Sequence, residues 1–515
     1  MGAEVAPEAT VLRAQLDELF DAVKRKDRTI KDLEEQVRYL LNRLYGRKSE
    51  KVHPEQLALA FAERDLESAL PGMPPHADEA PDDESPREKQ KKRSRRNGRV
   101  PLPEHLPRER KEYHPDPEDL VCPCCQSAKE RIGEEVSEEL EYEPASFLVK
   151  EHVRVKYACR RCEEGVVIAD PPALPIVKGR PGPGLLAHVV TSKYGDHLPL
   201  HRQSGIFRRH GVEIHRSTLC DWVRDTAELL RPIAMAMKRS ILETGYVNTD
   251  DTPVKVHQGK GGPGRTKQGR IWVYVSRELR EAVYDFTTTR AGEGPQSFLS
   301  GFSGYLQADA YGGYDRLFAD GEVTEVGCLA HARRKFYDAL ETAPEAASYV
   351  LALIRGLYDI EKNARDRGIE GEELEQLRRQ ESHRLLDGLL DFLLLEKAEA
   401  LPQSPLGKAI GYALNQWEAL TRYVTDGRLA IDNNEAERAL RGVAVGRGNW
   451  IFCGSPAGGR RAAILYSLVV SCKLQGIDPL AYIRDVLERI RTTPMSRIDE
   501  LTPRGWKAAL EPADA

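Results

Sequence analysis

The stretch 246–256, YVNTDDTPVKV, runs from apolar and β-branched residues into two adjacent aspartates, Asp250 and Asp251. Short runs of this kind read as β-strands, so Asp250 is expected at a strand end. A second stretch, GYLQADAYGGYD (304–315), presents Asp309 in the same way. Far downstream, IDNNEAERALRGV (431–443) places Glu437 on a predicted helix. Two strand-end aspartates and one helix glutamate can hold two divalent metals against a phosphodiester. Mg²⁺ prefers carboxylate oxygens, with substrate phosphate and water completing its shell. Two such ions about 4 Å apart stabilise both the attacking and the leaving oxygen of an in-line displacement. Each acid alone has a plainer reading. A strand-end Asp is often a turn former or helix cap. Asp432, Asn433 and Asn434 could cap a helix on which Glu437 is a first-turn glutamate favoured by the dipole.

The order of elements around these acids favours the metal reading. RIWVYVSR (270–277) and EAVYDFTTTR (281–290) read as strands joined as a hairpin. A helix is expected near 295–300, then the strand carrying Asp309, then a helix in GGYDRLFAD (312–320). VTEVGCL (323–329) reads as a strand and AHARRKFYDAL (330–340) as a helix. Three strands, helix, strand, helix, strand, helix is the order of an RNase-H-like fold. There the first and fourth strands carry the first two metal carboxylates, and a late helix carries the third. Residues of about 342–425 have little strand character and read as a helical insertion.

A chain of 515 residues should hold several domains. Its net charge of −5 does not exclude DNA binding, which needs basic stretches rather than a basic whole. No apolar run reaches 18 residues, so no membrane partner is expected. The N-terminus lacks the basic-then-apolar order of a signal peptide, which points to the cytoplasm. Of nine cysteines, five crowd into 122–162 and four (Cys220, Cys328, Cys453, Cys472) are scattered. That is not a secreted disulfide framework.

The expected fold class is a multidomain α+β/α protein. Residues 1–50 form a coiled coil: Leu16, Val23, Ile30, Val37 and Leu44 alternate with Leu12, Leu19, Lys26, Leu33 and Leu40 at heptad spacing. β-branched residues at the first seam position with Leu at the second favour a parallel pair; an amphipathic helix packed on its own chain is the alternative. Residues 51–105 form a linker with an acidic, proline-rich run and the basic run REKQKKRSRRNGR. The basic run suits phosphate contact, or it is a solvated partner of the acidic run. Residues 106–175 form a zinc module. Cys122 with Cys125, and Cys159 with Cys162, are two Cys-x-x-Cys pairs able to close one tetrahedral structural site. Cys124 leaves a shifted register open.

Residues 176–240 read as a helical DNA-binding region. Short amphipathic segments flank a turn at Gly211, and a helix starting near Ser217 with Arg216 and Arg224 resembles a recognition helix. A helical hairpin within a core is the alternative. The catalytic core spans 241–441 and a helical C-terminal tail 442–515, with helices at about 461–474 and 479–491. Further candidate DNA contacts are Arg333, Arg334 and Lys335 beside His331, Arg438 and Arg441 beside Glu437, and Arg447, Arg460 and Arg461 in the Gly/Arg-rich segment. The plainer reading of these is a surface helix and a turn-rich packing segment.

Together the motifs resemble one family, transposases of the insertion-sequence-66 type in the DDE class. The resemblance covers nearly the whole chain: RLYGRKSEK, the four cysteines, KYGDHLPLHRQSGIFRRHGVEIHRSTLCDW, YLQADAYGGYD, CLAHARRKF, IDNNEAERALR and GNWIFCGSPAGGRRAAILYSL. It implies that Asp250, Asp309 and Glu437 are the catalytic triad, holding two Mg²⁺ (Mn²⁺ can substitute). Hydrolysis at the element end would be followed by attack of the freed 3′-hydroxyl on target DNA. It implies DNA partners (terminal inverted repeats and target), a homodimer or higher assembly through the coil, small accessory proteins of the same element, and a bacterial, nucleoid-associated location. Two departures stand out. The family usually shows Asp-Glu-Thr where Asp250-Asp251-Thr252 stand, which leaves Asp251 a second candidate. Gly448 replaces a basic residue usual in the segment GRGNW. The alternatives are a non-catalytic DNA-binding regulator derived from a transposase and a structure-selective endonuclease on the same fold.

Overall fold

The computed structural model describes residues 23, 24, 26, 30, 147–150, 152, 156–157, 167–168, 174–176, 181–257 and 266–510. The four expected zinc ligands and the 51–105 linker lie outside these residues. So does the heptad region except Val23, Lys24, Lys26 and Ile30, which are helical.

Five strands form the central sheet: β1 (Tyr246–His257), β2 (Thr266–Ser276), β3 (Glu281–Thr287), β4 (Gly304–Gln307) and β5 (Val323–Val326). Their spatial order is β3-β2-β1-β4-β5. The first three are antiparallel neighbours, while β4 runs parallel to β1 and β5 parallel to β4. Parallel neighbours need a crossover, and the connections between β3 and β5 supply short helices. The helices, in chain order, are α1 (Pro183–Tyr194), α2 (Leu200–Arg209), α3 (Arg216–Leu242), α4 (Glu293–Phe298), α5 (Asp315–Phe318), α6 (Leu329–Ala339), α7 (Pro344–Asp366), α8 (Gly371–Leu377), α9 (His383–Glu399), α10 (Pro405–Asn415), α11 (Trp417–Thr421), α12 (Asn434–Trp450), α13 (Pro456–Gln475), α14 (Pro479–Arg489) and α15 (Pro503–Leu510).

Gly304 decides how β4 begins. Its φ of +127° is open to glycine, and a Cβ there would strike the Gly245 carbonyl. Tyr305 N–H instead reaches that carbonyl at 2.8 Å and starts the parallel ladder. The register then pairs Tyr246 with Tyr305 and Asn248 with Gln307.

Two hydrophobic clusters build the described body. One joins both sides of the sheet to α1–α3, α12, α13 and α14, through residues such as Leu230, Trp272, Val443, Leu468 and Ile483. The other joins α6 to the helices of the insertion, through Phe336, Leu357, Leu393 and Tyr423. The boundary expected between 441 and 442 therefore falls inside α12. The segment expected as a tail covers an edge strand: Ser467 and Ser471, one turn apart on α13, accept the N–H groups of Tyr284 and Ala282 at 2.8 and 2.9 Å. Covering an edge removes its unpaired donors from water and from other chains. Likewise α3 begins one residue before Ser217 and is 27 residues long, with Leu219, Val223, Ala227 and Leu230 buried along one face. No helix among the described residues is long and apolar enough to cross a membrane.

Candidate active site

Strand register brings two of the three acids together. Side chains two apart on a strand share a face, so Asn248 and Asp250 share one. Asn248 pairs with Gln307, and Asp250 and Asp309 each follow two residues further on, near enough for the charge of Asp309 to act on Asp250. Asp309 itself lies two residues beyond the end of β4. Glu437 comes from the first turn of α12, which packs on β1 and β2.

A buried amide network fixes that meeting. Asn248 Nδ2 donates to Gln307 Oε1 at 2.9 Å and to Asn433 Oδ1 at 3.1 Å. Asn433 Nδ2 donates to the Thr249 carbonyl at 2.8 Å. Gln307 Nε2 donates to the carbonyls of Gly327 and Ala430, both at 2.8 Å, and Tyr246 Oη donates to Gln307 Oε1. The network ties β1, β4 and the loop before α12 into one unit, so Glu437 is delivered in fixed register with the strands. At the other end of α12, Arg447 Nη1 donates to Thr252 Oγ1 and the Pro253 carbonyl, both at 2.7 Å. These two bonds hold the helix to β1.

Asp250 feels the acids around it. Burial, then the charges of Asp309, Asp251 and Glu437, push Asp250 up to about 7, against an opposing hydrogen bond from Asp251 N–H. Burial also raises Asp309, opposed by Arg290 and His331. His331 Nε2 lies 3.8 Å from Glu437 Oε1. Asp251 has a different setting. Its carboxylate is 2% exposed and receives Arg270 Nη1 and Arg290 Nε, each at 2.9 Å. Arg290 also reaches Asp309 Oδ2 at 3.4 Å and lies 4.0 Å over the Tyr311 ring. Asp251 is thus the counter-ion that holds an arginine against Asp309. Neither Arg290 nor the amide network stands out in the sequence. The one local signal is a polar amide two residues before each strand acid.

This division makes a prediction. Asp251→Asn should slow any metal-dependent cleavage by about 10–100-fold, the usual effect of losing a group that orients a metal ligand. Steady cleavage rates on one labelled duplex would check it; a variant as inactive as Asp250→Asn would make Asp251 itself a ligand.

Of the other expected contacts, Arg216 is exposed at the start of α3, and Arg224 is engaged by Asp221 and Asp225. Arg333 is half-buried on α6, while Arg334 and Lys335 are exposed there, with the Lys335 ammonium 4.6 Å over the Tyr412 ring. Arg438 and Arg441 are exposed on α12, Arg438 lying 3.5 Å from Glu435. Arg460 is exposed, and Arg461 lies 3.7 Å from Glu228.

Comparison with known proteins agrees along the chain. Residues 178–461 match the model of the "Transposase IS66 family", and residues 119–163 the "zinc-finger binding domain of transposase IS66". Residues 32–110 match "Transposase C of IS166 homeodomain" and 467–504 the "IS66 C-terminal element". The zinc-finger match includes Cys122, Cys125, Cys159 and Cys162 and supports a structural zinc in this chain. The chain is similar to uncharacterized protein y4jD of Sinorhizobium fredii (strain NBRC 101917 / NGR234), 34% identical over 512 residues, covering 96% of this chain and 98% of that one. It is also 34% identical over 436 residues to uncharacterized protein y4hP of the same organism, covering 80% and 77%.

Proposed function

Because the chain belongs to the IS66 transposase family, we propose that Asp250, Asp309 and Glu437 are the metal-holding acids of an RNase-H-like, DDE-type catalytic core. The protein is a DNA transposase of an insertion sequence. The observation that carries the site assignment is the buried Asn248–Gln307–Asn433 network, which joins the strand residues before Asp250 and Asp309 to the start of the helix bearing Glu437. Burial and the charges of its neighbours hold Asp250 up to about 7, an unfavourable state that bound cations relieve.

The donor set fits Mg²⁺ or Mn²⁺: the three carboxylates offer hard oxygen ligands. When bound, two such ions supply Lewis-acid stabilisation of the attacking and leaving oxygens of the phosphodiester. The chain's own residues do the rest. Asp250 on β1 and Asp309 just past the end of the neighbouring β4 face the DNA, and Glu437 closes the set from α12. Asn433 and Gln307 hold these elements in register, and Arg290 screens the charge of Asp309. Arg438 and Arg441 on α12, with Arg334 and Lys335 on α6, are placed to neutralise backbone phosphates. The chemistry is hydrolysis at the element end, which frees a 3′-hydroxyl, and attack of that hydroxyl on a target phosphodiester. The zinc module, with its four cysteines, and α1–α3 grip the terminal inverted repeats. The coil brings two chains and two ends together, and accessory proteins of the element complete the assembly.

The test is strand transfer in vitro with Mg²⁺, a labelled duplex bearing the native end and a plasmid target. Joined product, absent with Asp309→Asn, is expected. Nicking without joining, accessory proteins included, would point to an endonuclease. Sequence-specific binding with no cleavage would point to a regulator.

A further inference from the structure

Beside the oxygen-only acids lies a second, softer donor set. Cys328 is the residue before α6, and His331 follows within the first turn, a Cys-x-x-His spacing that turns both side chains toward one point. Glu437 faces them from α12. The ligand atoms of Cys328, His331 and Glu437 all lie within 4.8 Å of one another. Cys328 is 1% exposed and its sulfur receives Asn433 N–H at 3.3 Å, a bond suited to a coordinating sulfur. Among the described residues, His331 Nδ1 is buried with no hydrogen-bond partner, so one ring nitrogen is left without a protein group to satisfy it.

We propose that Cys328, His331 and Glu437 form a site for a thiophilic divalent ion, Zn²⁺ above all, and that Zn²⁺ there inhibits the transposase by drawing Glu437 away from Asp250 and Asp309. Thiolate, imidazole and carboxylate together select Zn²⁺ over Mg²⁺. Three protein ligands leave the fourth tetrahedral position to water. Binding displaces the Cys328 thiol proton to solvent, as metal binding to a thiol requires, and no oxidant or reductant takes part. The site is distinct from the zinc module at 119–163. The inhibitory half rests on the proposed catalytic role of Glu437; the binding half does not.

The experiment uses the full chain with its zinc module already loaded, titrated with Zn²⁺ calorimetrically and with Co²⁺ by thiolate-to-metal absorption. One further equivalent is expected, lost in Cys328→Ala and in His331→Gln and retained in Asp309→Asn. Without added metal, Cys328→Ala should still unfold in one cooperative transition only modestly below the native protein, the small cost of losing a buried sulfur, and such a melt would rule out misfolding as the cause of the lost equivalent. In Mg²⁺-dependent cleavage, Zn²⁺ should inhibit, and Cys328→Ala should raise the half-inhibiting concentration by about tenfold or more, the scale of losing part of a ligand set. No further equivalent, or one that survives Cys328→Ala, overturns the site. Binding without inhibition overturns the regulatory half. Cleavage by Asp309→Asn overturns the catalytic reading and leaves the metal site standing.

Discussion

Asp250→Asn is expected to abolish metal-dependent cleavage while making the metal-free protein more stable at pH 8. The loss should be about 10³-fold or more, beyond the 10–100-fold typical of groups that merely orient a ligand. The gain in stability follows from the same carboxyl. Its folded value is about 7 against an ordinary 3.8, with burial the main cause and Asp309, Asp251 and Glu437 adding to it. A carboxyl raised on folding stabilises fully below its unfolded value, and that contribution is lost as pH rises through the folded one. Asparagine cannot ionise, so it escapes the loss. Each pH unit separating the folded from the unfolded value is worth about 1.4 kcal/mol, so the variant should gain on the order of 2–4 kcal/mol at pH 8. The difference should shrink to little near pH 4. Mg²⁺ should stabilise the native protein more at pH 8 than at pH 5.5, and the variant hardly at all. Denaturant melts at the two pH values, with and without Mg²⁺, check each part. A variant that is less stable than the native protein at pH 8 would contradict the charge argument.

The largest loss of stability is expected at a residue far from the acids. Arg378 is 1% exposed. It makes a bidentate pair with Glu361, Nε to Oε1 and Nη2 to Oε2, both at 2.7 Å. Its remaining donors reach the carbonyls of Tyr423, Asp426 and Leu429 at 2.7, 3.1 and 3.0 Å. Removing one partner of a buried pair leaves the other charge desolvated and unpaired, at a cost of about 3–5 kcal/mol. Arg378→Met should cost that much, and Arg378→Lys should recover little, because an ammonium cannot reproduce the fork. The double change Arg378→Met with Glu361→Leu should be less damaging than Arg378→Met alone. The effect should also reach the active site. The loop held by Arg378 continues to Ala430, whose carbonyl accepts from Gln307 and whose N–H reaches Tyr246. Loosening it frees Asn433 and with it Glu437. Denaturant unfolding and cleavage rates on the same variants would show whether stability and activity fall together; full activity in a strongly destabilised Arg378→Met would break the link.

Local pattern made the strands around the three acids legible, and the helix carrying Glu437. Alternating β-branched and aromatic residues mark β1, β2 and β3, and each neighbouring stretch has its own period. The proposed triad was carried by the order of elements together with the resemblance, and the zinc module by two Cys-x-x-Cys pairs whose spacing is itself chemical. What pattern could not separate was Asp250 from Asp251. Adjacent strand residues have the same local context but opposite faces, and only Arg270 and Arg290, 19 and 39 residues away from Asp251, give Asp251 its counter-ions. The extent of the core was hidden for a related reason. Ser467 and Ser471 look like polar interruptions of an apolar helix until β3 supplies N–H groups for them to accept.

Which residues are acids, thiols and amides, and at what local spacing they stand, is written in the chain, because helix and strand periods act over a few residues. Which of them meet is a matter of packing. The parallel register begun at Gly304 sets Asp309 beside Asp250, the Asn248–Gln307–Asn433 network brings up Glu437, and Cys328 and His331 gather beside it. Charge interaction and hydrogen bonding depend on distance in space, and residues far apart in the chain come within reach of one another only when the sheet and its helices have packed.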